Sequence, residues 1–130
     1  MTERTATCSC GGLTLRASGE PTKISACHCV ACRRRTGAAF SIAVFYPESA
    51  VRVAGLAKIY SRQGDSGHPV EFHYCPDCGS SVFWRPAFRP GLVGVAHGCF
   101  GEDSPGAPNQ AVYLEHQHPW LRIDLAAPAA

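Results

Sequence analysis

Val70-Glu71-Phe72-His73-Tyr74-Cys75-Pro76-Asp77-Cys78-Gly79 is the stretch that decides the fold class. Val70, Phe72 and Tyr74 alternate with Glu71 and His73, the period-two pattern of a strand. The strand runs into two cysteines separated by two residues. Such a turn can aim both sulfurs at one metal ion about 2.3 Å away. Pro76 presets φ for the turn, and Gly79 permits the left-handed backbone that lets amide N–H groups point at sulfur. A strand ending in a paired-thiol turn points to a β domain that binds metal.

The same texture extends outward on both sides. Leu13-Thr14-Leu15-Arg16-Ala17 alternates after Gly11-Gly12. Lys23 to Ala26 reads as an extended piece entering Cys27. Residues 38–46 are apolar, with Phe40, Ile42, Val44 and Tyr46 on one face, and Pro47 stops them. Val51 to Val53, Ala57 to Ser61, Ser81 to Trp84, Leu92 to Ala96 and Val112 to Glu115 read as further short strands. Gly64-Asp65-Ser66-Gly67 is a turn cluster, and residues 101–109 form a loop. Cys29 to Thr36 lacks alternation and ends at Gly37, which fits a loop or a single helical turn. Trp120 is expected to anchor the C-terminal segment, and Ala126 to Ala130 to fray. No stretch holds a 3.6-residue period over three turns. The chain is therefore expected to be mainly β, a small domain of short antiparallel sheets over residues 1–125.

Composition bounds the function. The 130 residues suffice for one domain and not for two. With 45% hydrophobic and 17% charged residues, a packed core is expected rather than disorder. A formal charge of +2 argues against a dedicated nucleic-acid binder. No apolar run approaches the roughly 18 residues that span a bilayer. The start, MTERTATCSC, has no apolar segment, so no secretory signal is expected and the cytoplasm is the expected location. Eight cysteines in a reducing compartment are then metal ligands or redox groups.

Seven of the eight fall into three clusters: Cys8-x-Cys10, Cys27-x-Cys29-x-x-Cys32 and Cys75-x-x-Cys78. A structural zinc site closes with four ligands, whereas a catalytic one keeps three and leaves a position open. Cys8, Cys10, Cys75 and Cys78 sum to a closed site, leaving Cys27, Cys29 and Cys32 as an open one. Counting alone also allows Cys8, Cys10, Cys27 and Cys29. Seven thiolates and two Zn²⁺ would take the formal charge from +2 to −1. Arg33, Arg34 and Arg35 directly follow Cys32. They are either a solvated basic loop or a grip for a substrate carboxylate beside the open site. His28, between two candidate ligands, is expected to point away from the metal, in a supporting role or exposed. With no general base obvious, a proton could pass through zinc-bound water or through a histidine such as His28 or His97. Cys99 reads as a small buried thiol. Phe40, Phe72, Tyr74, Phe83 and Trp84 read as core.

The order CSCG, then CHCVACRRRTG, then YCPDCGS resembles the glutathione-dependent formaldehyde-activating enzyme family, which includes the domain of centromere protein V. The resemblance runs from about Thr5 to about Trp120. It implies an all-β zinc domain, a tent of small sheets. It also implies a structural zinc on Cys8, Cys10, Cys75 and Cys78 and a catalytic zinc on Cys27, Cys29 and Cys32. The implied activity is that of a carbon–sulfur lyase, joining glutathione and formaldehyde to S-hydroxymethylglutathione and the reverse. The expected function is thus zinc-dependent chemistry on a small thiol–aldehyde adduct, with no nucleic-acid or membrane partner. The alternative is a non-catalytic, zinc-stabilised protein-binding module, which would show two closed sites and an exposed apolar patch.

Overall fold

Turns recur so often that, among the described residues, no strand exceeds seven residues. The computed structural model describes residues 2–65 and 67–126. Their strands are β1 (Glu3–Thr7), β2 (Thr14–Ser18), β3 (Lys23–Cys27), β4 (Ser41–Pro47), β5 (Val51–Ala54), β6 (Lys58–Gln63), β7 (Pro69–Tyr74), β8 (Ser81–Pro86), β9 (Leu92–Ala96) and β10 (Gln110–Val112). One α-helix, α1 (Val30–Thr36), joins β3 to β4. Short 3-10 turns cover Glu48–Ala50, His97–Phe100 and Leu114–His116.

The strands form two sheets. A small antiparallel sheet has the order β1-β2-β5, and a seven-stranded one the order β10-β3-β4-β9-β8-β7-β6. The large sheet is antiparallel except where β10 pairs with β3 in parallel. Antiparallel neighbours can be joined by tight turns, but a parallel pair needs a long crossover, so β10 arrives late in the chain.

Each face of the large sheet is covered differently. Val44, Tyr46, Phe83, Val93 and Val95 turn toward Ala6, Leu15 and Ala17 of the small sheet, and together they form the main core. The residues one step along, Ala43, Val70, Phe72 and Trp84, make a second, smaller cluster. Side chains alternate between faces along a strand, so neighbouring residues join different cores. Phe72 and Trp84 sit opposite each other in the β7–β8 register, their ring centroids 5.8 Å apart. The alternating Val70 and Phe72 thus belong to this second face, not the main core.

Gly94 makes the second cluster possible. It lies opposite Trp84 on β9, and a Cβ there would stand 2.3 Å from Trp84 Nε1. Only a residue without a side chain lets the indole lie flat across the strand.

Several expectations need correction. The segment after Cys29 is not a loop or a single turn but the two-turn helix α1, capped by Cys29 and closed by Gly37. It buries no residue, so it carries no apolar stripe for sequence reading to detect. The last strand ends at Val112, and residues 114–116 form a 3-10 turn. Trp120 anchors nothing in the core; it is 69% exposed and stacks on His118. The tail expected to fray lies, beyond Ala126, outside the described residues.

Candidate metal centres

Two groups of thiols converge, and they are the two that counting suggested. The Sγ atoms of Cys8, Cys10, Cys75 and Cys78 all lie within 4.8 Å of one another, as do those of Cys27, Cys29 and Cys32. The alternative grouping of Cys8 and Cys10 with Cys27 and Cys29 does not occur. All eight cysteines are free.

The four-thiol cluster is made by two matching turns. Cys8 and Cys10 follow β1, and Cys75 and Cys78 follow β7. In each turn the first cysteine N–H donates to the carbonyl five residues on: Cys8 to Leu13 at 3.0 Å and Cys75 to Ser80 at 3.0 Å. The Leu13 N–H donates to Cys8 Sγ at 3.2 Å. Ser80 Oγ stitches the turns together, lying 3.1 Å from the Ser9 N–H and 3.1 Å from Ser9 Oγ. Gly79 takes φ 78°, as the turn requires. Cys8 and Cys75 are buried at the margin of the main core. Metal–sulfur bonds of about 2.3 Å in a tetrahedron put sulfurs about 3.8 Å apart. The observed Sγ–Sγ separations are 3.7 Å for Cys8–Cys10 and 3.6 Å for Cys10–Cys75. The four soft donors therefore suit Zn²⁺.

Hydrogen bonding divides these thiols. Bonds from the Ser80 hydroxyl and backbone bring Cys78 down to about 5. Burial works against ionisation of Cys8, but the Leu13 N–H and Cys10 outweigh it and lower its pKa. Cys10 receives a favourable Gly12 N–H yet is pushed up to about 12 by the neighbouring sulfurs.

The three-thiol cluster is local. Cys27 ends β3, Cys29 caps α1 and Cys32 lies in the first turn. The Cys32 N–H donates to Cys29 Sγ at 3.3 Å. Cys27 and Cys32 share a proton: their hydrogen bond lowers Cys32 to about 5 against the effect of burial, with help from Ser41 and Arg35. The same bond, together with burial, raises Cys27. Burial also raises Cys29.

This cluster borders a cavity of about 350 Å³ on the second face of the large sheet. Phe72 and Trp84 line one wall, and Arg35 and Arg62 bring positive charge into it. The Arg35 guanidinium lies 4.7 Å from the Phe72 centroid and 4.4 Å from that of Trp84. Tyr113 and Asp65 complete the rim. The Tyr113 hydroxyl bonds to Asp65, which holds the phenol up at about 12. Tyr113 is the one described non-glycine residue at positive φ, 56°. A bulky residue seldom occupies that region without surrounding structure to hold it.

The structure sorts the three consecutive arginines. Arg35 lines the cavity. Arg33 Nη1 donates to His118 Nε2 at 2.9 Å, and Arg34 is exposed. His28 is fully buried rather than exposed, and neither ring nitrogen has a hydrogen-bond partner. Burial lowers its pKa, and the charge of Arg33 adds to the effect. His97 Nε2 lies 2.8 Å from the Gly106 carbonyl and does not line the cavity. Neither histidine faces the cavity; His116 does. Cys99 packs beside the main core near the four-thiol cluster, where burial raises its pKa. Arg62, Asp65, Tyr113 and His116 were invisible to spacing arguments, because each lies far along the chain from the thiols it accompanies.

The sequence pattern of the family described as glutathione-dependent formaldehyde-activating enzyme matches residues 3–116. The chain belongs to that family. The match embraces both thiol clusters, β1 to β10 and the 3-10 turn at His116. The fold is also that of a crystal structure of a Rhodobacter sphaeroides protein, with TM-score 0.60 and 23% identity over 75% of this chain and 88% of that one. No curated protein matches the chain. Among the described residues no helix is long and apolar enough to cross a membrane.

Proposed function

We propose that the chain is a zinc-dependent carbon–sulfur lyase acting on a thiol–aldehyde adduct such as S-hydroxymethylglutathione. Cys27, Cys29 and Cys32 are the ligands of the reactive-site zinc, and Cys8, Cys10, Cys75 and Cys78 those of a structural one. The carrying observation is that, among the described residues, three thiols and no fourth converge at the wall of a cavity. Bound there, zinc supplies a Lewis acid that lowers the pKa of a substrate thiol and polarises oxygen.

The chain's own residues do the rest. Arg35 orients a substrate carboxylate in the cavity and offsets the charge of Cys32, to which it also bonds. The Ser41 hydroxyl donates to Cys32 and adds to the lowering of its pKa that Cys27 begins. Phe72 and Trp84 exclude water from one side. Tyr113, held by Asp65, presents a phenol at the rim as a hydrogen-bonding group for the adduct oxygen. A reducing cytoplasm suits a site made of free thiols.

The test is adduct exchange. Zinc-loaded protein is mixed with glutathione and formaldehyde, and interconversion with S-hydroxymethylglutathione is followed by NMR. The expected result is exchange well above the uncatalysed rate, lost on chelation. Exchange equal to the buffer control overturns the lyase reading. A second reading, the zinc-stabilised binding module, draws on the exposed Leu56, Ile59 and Tyr60 on and beside edge strand β6. It predicts two zinc ions that both resist mild chelation, whereas the lyase reading predicts that one leaves.

A further inference from the structure

Arg62 belongs to no cysteine motif and comes from β6, at the far edge of the large sheet. Its guanidinium nonetheless lies 5.4 Å from the centroid of Phe72, the ring that Arg35 also covers. Two cations from distant parts of the chain thus converge on one aromatic platform.

Among the described residues neither makes an ion pair with a carboxylate. Nε of each is buried and has no hydrogen-bond partner. Arg35 has the Cys32 sulfur on one side. The acid that lines the same cavity, Asp65, is engaged by the Tyr113 hydroxyl. A half-buried guanidinium against aromatic carbon is costly to leave unpaired. Charge repulsion between the two adds to that cost, and an anion between them relieves both. Arginine offers a planar fork that meets a carboxylate through two parallel hydrogen bonds, and stacking on a ring fixes its plane beforehand.

We infer that Arg62 and Arg35 form a two-armed carboxylate clamp that selects thiols carrying a nearby acid group. The clamp rests on the reading of Cys27, Cys29 and Cys32 as the thiol-binding zinc site. Because Arg35 touches Cys32, the bound carboxylate lies close to that site. The favoured ligand is therefore a short mercapto acid or its aldehyde adduct, with sulfur and carboxylate only a few bonds apart. Arg62 is the specificity-determining member. Arg35 sits by the thiols regardless of ligand, whereas Arg62 has no other hydrogen-bonding or ionic partner among the described residues.

The test compares two thiols of similar size by calorimetry on the zinc-loaded full chain: 3-mercaptopropionate, which carries a carboxylate, and 2-mercaptoethanol, which does not. The wild type is expected to prefer 3-mercaptopropionate at least tenfold. Arg62→Gln is expected to reduce that preference about tenfold while leaving 2-mercaptoethanol binding unchanged. Should the Gln variant not fold, Arg62→Lys keeps the charge without the fork and is expected to lose about threefold. An undiminished preference in the variant, or no preference in the wild type, overturns the clamp. If neither thiol binds the wild type, the zinc-site reading fails instead. Propionate, which has the carboxylate and no thiol, then tests the clamp alone by NMR titration. Binding that Arg62→Gln abolishes supports it, and binding that the variant leaves unchanged overturns it.

Discussion

Cys8, Cys10, Cys75 and Cys78 come from two turns, with Cys10 and Cys75 separated by 65 positions, whereas Cys27, Cys29 and Cys32 come from a single strand–helix junction. The first cluster is stitched by backbone hydrogen bonds and set against the main core. The second is held by one helix cap and opens on a cavity. A metal ion in the first joins the start of the chain to its second half, so its binding free energy becomes folding free energy. A metal ion in the second cross-links six residues already held by β3 and α1, and adds little to the fold. The difference teaches that thiol count matters less than what each cluster holds together.

The most severe way to probe the contrast is Cys78→Ser. Removing one ligand of the four-thiol cluster should forfeit a large part of a zinc contribution on the order of 10 kcal/mol and unfold the domain at 25 °C. Circular dichroism on heating checks it, and a melting curve like that of the wild type would contradict the assignment. Cys29→Ser should act in the opposite sense. The fold should persist, with Tm within a few degrees, while adduct exchange falls by more than about a hundredfold, beyond what loss of an outer-shell partner costs. Retained exchange would remove the three-thiol cluster from the chemistry.

Proton release sharpens the comparison next. At pH 7 Cys32, at about 5, is ionised, while Cys27 and Cys29 are raised and keep their protons. Loading zinc on the three thiols should then expel about two protons. Affinity should rise about a hundredfold per pH unit above the Cys32 value and fall correspondingly as pH drops. Calorimetry in buffers of different ionisation enthalpy measures this, on protein already loaded at the four-thiol site. Release of fewer than one proton would contradict the division of charge between Cys27 and Cys32.

The smallest expected effect concerns the cavity wall. Gly94→Ala forces a Cβ into the Trp84 indole and should cost about 1–3 kcal/mol through overpacking. Trp84 fluorescence should shift as the ring moves toward solvent, and ligand binding should weaken before the four-thiol site is touched. An unaltered spectrum and Tm would mean that the ring gives way without consequence.

Much of this protein is written locally. Turn chemistry works over a few residues, so Cys75-Pro76-Asp77-Cys78-Gly79 declared its thiol turn, and the apolar run expected over residues 38–46 became β4, which starts at Ser41 and takes in Pro47 as its last residue. β9 runs from Leu92 to Ala96, as its apolar run predicted. Spacing also marked the three groups of neighbouring cysteines, because one or two residues between cysteines suffice to bring two sulfurs together, but counting left two ways of combining them. Helix α1 escaped notice for the complementary reason: it is seven residues long and buries none of them, so it leaves no periodic apolar trace.

Which of the thiol pairs meet, and what faces the open cluster, was decided only in three dimensions. The four-thiol partnership depends on β1 and β7 ending at the same place, a matter of packing between sheets. The parallel pairing of β10 with β3 brings Tyr113 to the rim, and the β6–β7–β8 register sets Phe72 opposite Trp84 and Arg62 opposite Val70, diagonal to Phe72 on the same face. Arg33, Arg34 and Arg35 read alike in sequence, yet they end in three environments because a helix turns each residue by about 100° from the last. Local order follows from short-range sterics and hydrogen bonding, which neighbouring residues settle among themselves. The cavity and its charges follow from which strands lie adjacent, which only the burial of the whole chain selects.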